Sequence, residues 1–365
     1  MNDLSKFRKK EQFYRYVGDL TQICGIREYE MKSGRANGVR AFDVKNGSGL
    51  EFTVLQDRCL DISALSFNGI NCSYLSKTGV TAPAYNGNGT NFSRTFYGGF
   101  LTTCGLRNVG DACEEHGECF GTHGRISNLP AEEIRASVDW VDDIPEITVS
   151  GKIRESSFFG ENILLERKIS CRYGDNRIRI SNTIENQGFK PEVLMLLLHF
   201  NIGYPLLSPC SRFLSPFKEV IPRDAQAEAG IRDFERMQPP TKEYAEQVFY
   251  HTLRTDGENN TMVALINPEI ETGLSLTFNR NQFSRFTQWK QMGEGEYVLG
   301  MEPCNCYVGG RSDARNKGFL TGIQPFEKKQ FDVTVELHSG IKQLEMLENK
   351  INNLKNNIKT FDHGK

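Results

Sequence analysis

Alternation of apolar and polar residues with a period of two constrains the fold of this chain more than any other feature. An apolar residue occupies every second position over 330–337, and the segments 134–140 and 177–180 repeat the pattern. Because successive side chains of a β-strand point to opposite faces of its sheet, this period predicts half-buried strands. The segment 193–198 is apolar at every position, which predicts a strand covered on both faces. The chain is therefore predicted to be all-β.

Glycine-containing pairs typical of turns separate these segments. Glycine accounts for 34 of the 365 residues, and the turn pairs are Asn46-Gly47, Asn68-Gly69, Asn88-Gly89, Gly174-Asp175 and Asp256-Gly257. Short turns join antiparallel strands, so we predict a large antiparallel β-sandwich that forms a single domain over residues 1–340. The proline-containing segment 208–242 has weak periodicity and mixed charge, and is predicted to be a long excursion over the surface.

The end of the chain follows a different period. Apolar residues recur there at spacings of three and four, at Leu344, Leu347, Ile351, Leu354 and Ile358. This spacing predicts an amphipathic helix within a helical tail over 341–365. The apolar stripe would either pack on the sandwich, with the tail fraying in solvent, or mediate self-association as a short coiled coil. A homo-oligomer formed through this helix is thus one of two alternatives.

Composition argues against several classes of partner. The chain has 44 basic and 46 acidic residues, a formal charge of −2, and no basic stripe, so we expect no nucleic-acid partner. The longest apolar stretch is too short to span a bilayer, and the polar N-terminus lacks the apolar core of a signal peptide. Ten cysteines without regular spacing then indicate reduced thiols. We expect a cytoplasmic protein with no membrane association.

Three separate segments each present a residue suited to acid–base chemistry. His199 follows the apolar run, His123 lies between two glycines close to Arg125, and Glu302 stands in Gly-Met-Glu-Pro. Histidine exchanges protons near neutral pH, and a carboxylate can accept a proton from a hydroxyl group. Each also has a structural interpretation: a core histidine, a loop histidine beside a structural arginine, and an exposed carboxylate. Together they favour proton transfer on a small polar substrate such as a sugar.

A metal site is the main competing chemistry. Cysteine, glutamate and histidine crowd the segment 113–123, and Cys304-Asn305-Cys306 forms a second group. Neither contains the paired Cys-x-x-Cys or His-Glu-x-x-His spacing of zinc sites, so we predict no metal. Cys104 has no neighbouring base in sequence that would activate it as a nucleophile. Since no glycine-rich nucleotide fingerprint follows a predicted strand, we predict no cofactor.

Four segments resemble a known family. They are 55–62 (Leu-Gln-Asp-Arg-Cys-Leu-Asp-Ile), 98–106 (Gly-Gly-Phe-Leu-Thr-Thr-Cys-Gly-Leu), His-Gly-Arg at 123–125 and Met-Glu-Pro at 301–303. The chain is similar to the aldose 1-epimerase (galactose mutarotase-like) superfamily, and specifically to its DUF4432 branch. The resemblance covers roughly residues 18–337. It implies a galactose mutarotase-like β-supersandwich with an open cleft on one sheet.

The resemblance also implies roles for individual residues. Glu302 corresponds to the general base that takes the proton of the anomeric hydroxyl, and His199 to the general acid that protonates the ring oxygen. His123 corresponds to the histidine that holds the sugar near its ring oxygen. The sugar opens, rotates about C1–C2 and closes from the other face, which interconverts its anomers. The further candidates for sugar contacts are Arg58, Asp61, Asn108, Arg125 and Trp289.

Other functions fit the same residues. A non-catalytic carbohydrate-binding or sensing protein would use the histidines only as hydrogen-bond donors. A lyase or hydrolase that acts on a modified sugar would use the same scaffold, because fold does not fix function. A phosphorylated sugar is a further alternative, with Arg58, Arg107 and Arg125 in contact with the phosphate. Arg58 and Asp61 could equally form a structural ion pair.

Overall fold

The computed structural model describes residues 9–86 and 91–356. Its strands are, in chain order, β1 (Gly25–Glu30), β2 (Arg40–Lys45), β3 (Leu50–Leu55), β4 (Asp61–Phe67), β5 (Ile70–Asn71), β6 (Tyr74–Leu75), β7 (Gly98–Gly99), β8 (Leu101–Leu106), β9 (Cys113–Glu115), β10 (Glu118–Phe120), β11 (Glu132–Val141), β12 (Ile144–Ser156), β13 (Asn162–Arg172), β14 (Arg177–Asn186), β15 (Glu192–Val193), β16 (Met195–Ile202), β17 (Arg212–Leu214), β18 (Phe217–Pro222), β19 (Gln247–Leu253), β20 (Asn260–Asn267), β21 (Thr272–Asn279), β22 (Arg285–Gly293), β23 (Glu296–Cys304), β24 (Gly322–Ile323) and β25 (Lys328–Ser339). The helices are α1 (Lys10–Tyr14), α2 (Phe92–Thr95), α3 (Ala225–Ala229), α4 (Gly310–Asn316) and α5 (Ile341–Asn356). Short 3₁₀ turns span Leu20–Gln22, Gly34–Ala36, Pro83–Asn86, Ile126–Asn128 and Ile231–Asp233.

Most strands belong to three antiparallel sheets. The eight-stranded sheet has the order β11-β12-β13-β14-β25-β21-β20-β17, the six-stranded sheet β18-β19-β22-β23-β16-β8, and the five-stranded sheet β1-β2-β3-β4-β5. Short pairs form between β6 and β7, β9 and β10, and β15 and β24. The predicted all-β, antiparallel architecture is confirmed.

One apolar core lies between the large sheets. Alternate residues of β16, among them Leu196, Leu198 and Phe200, join the same buried cluster as Val333 and Val335 of β25. Phe278 of the eight-stranded sheet stacks on Phe286 of the six-stranded sheet, with ring centroids 6.1 Å apart. Such burial of facing apolar sides drives two sheets to pack as a sandwich.

The six-stranded sheet is buried on its second face as well, over part of its length. Met195 and Leu197 of β16 point away from the main core into a second cluster with Cys104 and Cys304. The fully apolar run 193–198 is therefore explained by burial on both faces, as predicted. His199 is the next residue on that second face.

The predicted C-terminal helix is present as α5. Its buried residues Leu344, Leu347 and Ile351 pack on Met262 and Ile266 of β20. The apolar stripe thus covers the eight-stranded sheet, while residues 357–365 of the predicted tail lie outside the described residues. Self-association through this helix stays a prediction.

Two sequence expectations need comment. The segment 208–242 is not a simple surface excursion, because it supplies the edge strands β17 and β18 and buries Phe213 and Phe234 in the core. The predicted Asn88-Gly89 turn lies outside the described residues.

No helix in the described ranges has the length and apolar character needed to cross a lipid bilayer.

Candidate active site

Three neighbouring strands of the six-stranded sheet present polar and aromatic side chains on one face. In β23, Leu299 and Met301 face the core, so Glu302 lies on the opposite face. The register pairs Thr287 with Glu302, and Phe200 with Met301, which sets Trp289 of β22 and His199 of β16 on the same side as Glu302. These side chains line a cavity of about 640 Å³, called here the central cavity.

His199 and Glu302 form a buried acid–base pair in this cavity. The His199 Nε2 and Glu302 Oε1 atoms are 3.2 Å apart, and both side chains are buried. Burial raises the pKa of the Glu302 carboxyl well above its usual value, and Glu246 raises it further. Burial and the nearby His123 lower the pKa of His199 to about 3. Both shifts favour the uncharged form of the side chain, a carboxylic acid for Glu302 and a neutral imidazole for His199.

Both members of this pair have free hydrogen-bonding capacity. The 3.2 Å contact does not have hydrogen-bond geometry, and neither His199 Nδ1 nor Glu302 Oε1 has a hydrogen-bond partner within the described residues. Buried polar atoms are normally satisfied, because an unsatisfied one costs about 1–3 kcal/mol. Because both residues line the central cavity, these two unsatisfied atoms lie beside the space that a polar ligand would occupy.

His123 reaches the same cavity from a tight loop crossing. The backbone N–H of Gly110 donates to His123 Nδ1 at 3.3 Å, which leaves the imidazole proton on Nε2. Burial lowers the pKa of His123 to about 4, so the ring is a neutral donor at neutral pH. The next residue must be glycine: Gly124 has φ +73°, and a Cβ there would lie 2.2 Å from the Gly105 carbonyl oxygen.

Aromatic rings surround the acid–base groups. Phe96 and Trp289 contact the His199 ring with centroid distances of 5.5 and 5.3 Å, and Phe92 contacts the His123 ring at 4.9 Å. Apolar walls with a few convergent polar groups are typical of small-molecule sites. Apolar faces beside hydrogen-bonding groups also suit a sugar ring, which has C–H faces and hydroxyl edges.

A polar network fixes the indole of Trp289. Its Nε1–H donates to Glu246 Oε2 at 2.7 Å, and the Arg223 guanidinium donates to Glu246 Oε1 at 3.0 Å. Both Glu246 and Arg223 line the central cavity. The ion pair therefore orients the widest apolar surface of the site.

Four predicted site residues thus line one cavity, namely His123, His199, Trp289 and Glu302. Arg58 and Asp61 lie outside this cavity, so it does not support their predicted contacts with a sugar. Arg58 is buried and donates to the carbonyl oxygens of Ser127 and Thr81, at 2.7 Å each. The alternative interpretation, a mutual ion pair, is wrong, because Asp61 pairs with the buried Arg167 at 2.7 Å.

Asn108 and Arg125 are likewise placed outside the cavity. The Asn108 amide donates to the Gly121 carbonyl at 2.8 Å and accepts from the Arg311 N–H, so it holds loops together. The Arg125 guanidinium lies 3.4 Å from Glu118. Both residues bond to protein groups and do not line the central cavity, so their contacts with a sugar stay a prediction.

The proposed phosphate-binding arginines also fail to converge on the site. Arg107 forms ion pairs with Glu118, Glu161 and Glu192 at 2.7, 3.1 and 3.3 Å. With Arg58 bound to backbone carbonyls and Arg125 close to Glu118, none of the three arginines faces the cavity.

One member of the cysteine- and glutamate-rich segment 113–123, Glu115, has a structural role. Glu115 of β9 is held by Arg311 at 2.8 Å and by Arg315 at 2.5 Å. These ion pairs lower the pKa of Glu115 to about 2. Over residues 9–86 and 91–356, no three His, Cys, Asp or Glu side chains come together as metal ligands.

Sequence reasoning missed several residues that line the central cavity, including Phe92, Phe96, Arg223, Glu246 and Thr287. Thr287 could have been found, because it stands two residues before Trp289 and therefore shares its face of the strand. Glu246 has no comparable signal, since its contact with Trp289 joins positions 43 residues apart.

Comparisons with known proteins agree with the fold. A family model described as "Domain of unknown function (DUF4432)" matches residues 36–337. No curated protein matches the chain in sequence.

Three solved structures illustrate the structural similarity. A provisionally named aldose 1-epimerase from Klebsiella pneumoniae is 24% identical in sequence. The match covers 95% of this chain and 91% of the Klebsiella chain, with a TM-score of 0.87. A galactose mutarotase-like protein from Clostridium acetobutylicum is 13% identical, with 87% and 99% covered and a TM-score of 0.59. Galactose 1-epimerase from Lactobacillus acidophilus is 14% identical, with the same coverage and a TM-score of 0.56. At these identities the likeness establishes the fold, and the family match extends over most of the sequence. The chain therefore belongs to the DUF4432 family and has a galactose mutarotase-like fold.

Proposed function

We propose that this protein is an aldose 1-epimerase, an isomerase that interconverts the anomers of a free sugar. The observation that carries the proposal is the buried His199–Glu302 pair, 3.2 Å apart, in a cavity with aromatic walls. Anomer interconversion needs one group that removes a proton from the anomeric hydroxyl and another that donates a proton to the ring oxygen. The pair supplies both.

The proposed steps balance in atoms and charge. The Glu302 carboxylate takes the proton of the C1 hydroxyl, the C1–O5 bond breaks as C1=O1 forms, and the His199 imidazolium donates a proton to O5. The open aldehyde rotates about C1–C2. Closure from the other face then returns one proton to O1 from Glu302 and one from O5 to His199. No electrons leave the sugar, so the proposed reaction needs no cofactor.

The electrostatics of the pair fit this proton count. The first form of the pair is a carboxylate with an imidazolium, and the second form is a carboxylic acid with a neutral imidazole. The two forms contain the same number of protons and have the same net charge. The raised pKa of Glu302 and the lowered pKa of His199 favour the second form. One proton therefore passes from Glu302 to His199 before ring opening. Ring opening produces the second form again, and ring closure restores the carboxylate and the imidazolium.

Two further residues position the sugar in this proposal. His123 donates from Nε2 to an oxygen of the substrate, since its Nδ1 accepts from the Gly110 N–H. The indole of Trp289, fixed by Glu246, packs against an apolar face of the ring.

The test is anomer interconversion followed by polarimetry and exchange NMR over a panel of free aldoses and sugar phosphates. We expect the wild-type protein to accelerate exchange for at least one sugar, and Glu302→Gln and His199→Asn each to reduce the rate by roughly 10²–10⁴-fold. If the wild type binds a sugar but matches both variants in rate, it is a non-catalytic carbohydrate-binding protein and the proposal is wrong.

A further inference from the structure

A second cavity of about 720 Å³ adjoins the central cavity and is called here the outer cavity. Arg223, Glu246, Asp111 and Val308 line both spaces. Because the Arg223 guanidinium donates to Glu246 at 3.0 Å, this ion pair forms a shared wall with one space on each side. A ligand that crosses the wall would occupy both cavities.

The strand register sets the separation between the two cavities. Tyr250 of β19 pairs with Thr287 of β22, and Thr287 pairs with Glu302 of β23. Tyr250 therefore lies two strands from Glu302 on the same face of the sheet, a distance of about 10 Å between backbones. This is the reach of a ligand with two linked sugar rings.

The outer cavity has the chemistry of a sugar subsite. Tyr250, Tyr307 and Phe319 line it, with ring centroids 4.7 Å apart for the first two and 5.3 Å for the last two. Phe319 is 42% exposed, so part of its ring is accessible from the outer cavity. Asp313 and Lys317, on the same wall, offer hydrogen bonds to hydroxyl groups.

Each cavity by itself lies in the size range of a small-molecule site, about 300–1,000 Å³. A single sugar ring bound at His199 and Glu302 would lie in the central cavity. A substrate that also contacts the aromatic rings of the outer cavity must extend past Arg223 and Glu246.

We infer that the substrate is a reducing disaccharide, whose reducing ring lies in the central cavity and whose second ring packs on Tyr307 and Phe319 in the outer cavity. This inference rests on the proposed function, because it assigns the reacting carbon to His199 and Glu302.

The kinetic test compares glucose and galactose with maltose, cellobiose and lactose. We expect a higher kcat/KM for at least one disaccharide than for both monosaccharides. Phe319→Ala and Tyr307→Leu should lower that kcat/KM roughly tenfold and leave the monosaccharide values unchanged, because each removes a ring from the outer cavity alone. Phe158→Ala is the matched control, since this phenylalanine is 91% exposed on the turn after β12 and lines neither cavity. Equal values for all five sugars, or equal losses in the Phe158 variant, would overturn the inference.

A binding measurement separates this inference from the proposed function. Methyl glycosides cannot open their rings, so their binding is independent of catalysis. Calorimetry and saturation-transfer NMR would compare the affinities of methyl β-cellobioside and methyl β-maltoside with the affinity of methyl β-glucoside. One outcome is that the protein interconverts no sugar but binds a methyl disaccharide about tenfold more tightly than the methyl monosaccharide, and that Phe319→Ala abolishes the difference. This outcome would support the sugar subsite in the outer cavity and contradict the proposed function. If catalysis is found and both types of glycoside bind equally, the outer subsite is wrong and the proposed function stands.

Discussion

At the scale of single residues, small side chains decide where the acid–base groups of the cavity lie. A Cβ on Gly300 would lie 2.3 Å from Glu302 Oε1 and 2.9 Å from Trp289 Cβ. The Glu302 carboxyl group therefore occupies the space beside Gly300. The sequence placed Glu302 beside a glycine, but only the cross-strand pairing of Gly300 with Trp289 shows why the glycine is needed.

Gly300→Ala tests this placement. The added methyl group must displace the Glu302 carboxyl, and a misplacement on the order of 1 Å costs about 100-fold in rate. We expect a loss of that size in the proposed interconversion, with the melting temperature reported alongside. Gly257→Ala is the matched control, because a Cβ there meets no atom within 4 Å. A Gly300→Ala protein with the rate of the control would contradict the role of this glycine.

The residue scale also shows where sequence reasoning fails. Arg58, Asp61 and Arg125 stand in motifs that resemble a sugar-binding family, and Asn108 lies just after one, yet all four bond to protein atoms. A charged residue that stabilises a buried loop and one that binds a ligand have the same sequence signal. Their partners lie up to 203 positions away in the sequence, as for Asn108 and Arg311, so only the fold distinguishes the two.

At the scale of secondary-structure elements, period was a reliable guide. The alternating segments 134–140, 177–180 and 330–337 lie within β11, β14 and β25, and the apolar run lies in β15 and β16. Periodicity also predicted α5, because the same three- and four-residue spacing that forms the stripe places Leu344, Leu347 and Ile351 against β20. The edge strands β17 and β18 were missed, since their short segments carry prolines and charges and gain their pairing from neighbouring strands.

The packing of α5 predicts a stability difference between two of its residues. Leu347→Ala removes a buried side chain from the cluster with Met262 and Ile266, and should lower the free energy of unfolding by about 2–5 kcal/mol. Met346 is the adjacent control, because it is 71% exposed and Met346→Ala should change stability by less than about 0.5 kcal/mol. Urea unfolding measures both. Equal effects would show that the helix does not pack as described.

At the scale of the whole molecule, burial of ionisable groups links the cavity to stability. Burial lowers the pKa of His123, His199 and His251, with values of about 4, 3 and 4. A histidine with a lowered folded-state pKa contributes stability that is present above its unfolded value of about 6.5 and is lost as pH falls towards the folded value. Glu302 acts in the opposite sense, because stability from its raised pKa is lost as pH rises through the folded value.

Because these contributions to stability oppose one another, the clearest prediction concerns the difference in unfolding free energy between the wild type and a variant. His251 lies outside the central cavity, among Phe213, Phe234 and Phe286, with Nε2 3.0 Å from Gln288 Oε1. His251→Gln removes one proton-binding group from the unfolded state. Relative to the variant, the wild type should lose up to about 1.4 kcal/mol of stability per pH unit between pH 6.5 and 4. His116→Gln, at an exposed position, is the control. A constant difference between wild type and His251→Gln across this range would contradict the prediction.

The arrangement of the whole molecule accounts for what the sequence could and could not predict about the site. His123, His199, Trp289 and Glu302 meet because β16, β22 and β23 are adjacent strands with a common face, and a loop crossing at Gly124 adds the fourth residue. The residues could be nominated from chemistry and family resemblance. Their convergence, the Arg223–Glu246 wall and the outer cavity depend on strand order, which the periodic pattern does not contain.

The central claim is that His199 and Glu302 act together as one proton-transfer pair. The most direct test is a double-mutant cycle with Glu302→Gln, His199→Asn and the double variant, in which anomer exchange is measured by NMR on the best wild-type substrate. Binding of its methyl glycoside serves to show that the site is intact. We expect the double variant to lose about as much rate as the more severe single variant, since residues that act as a unit are non-additive. Losses that multiply, or single variants with the wild-type rate, would contradict the account.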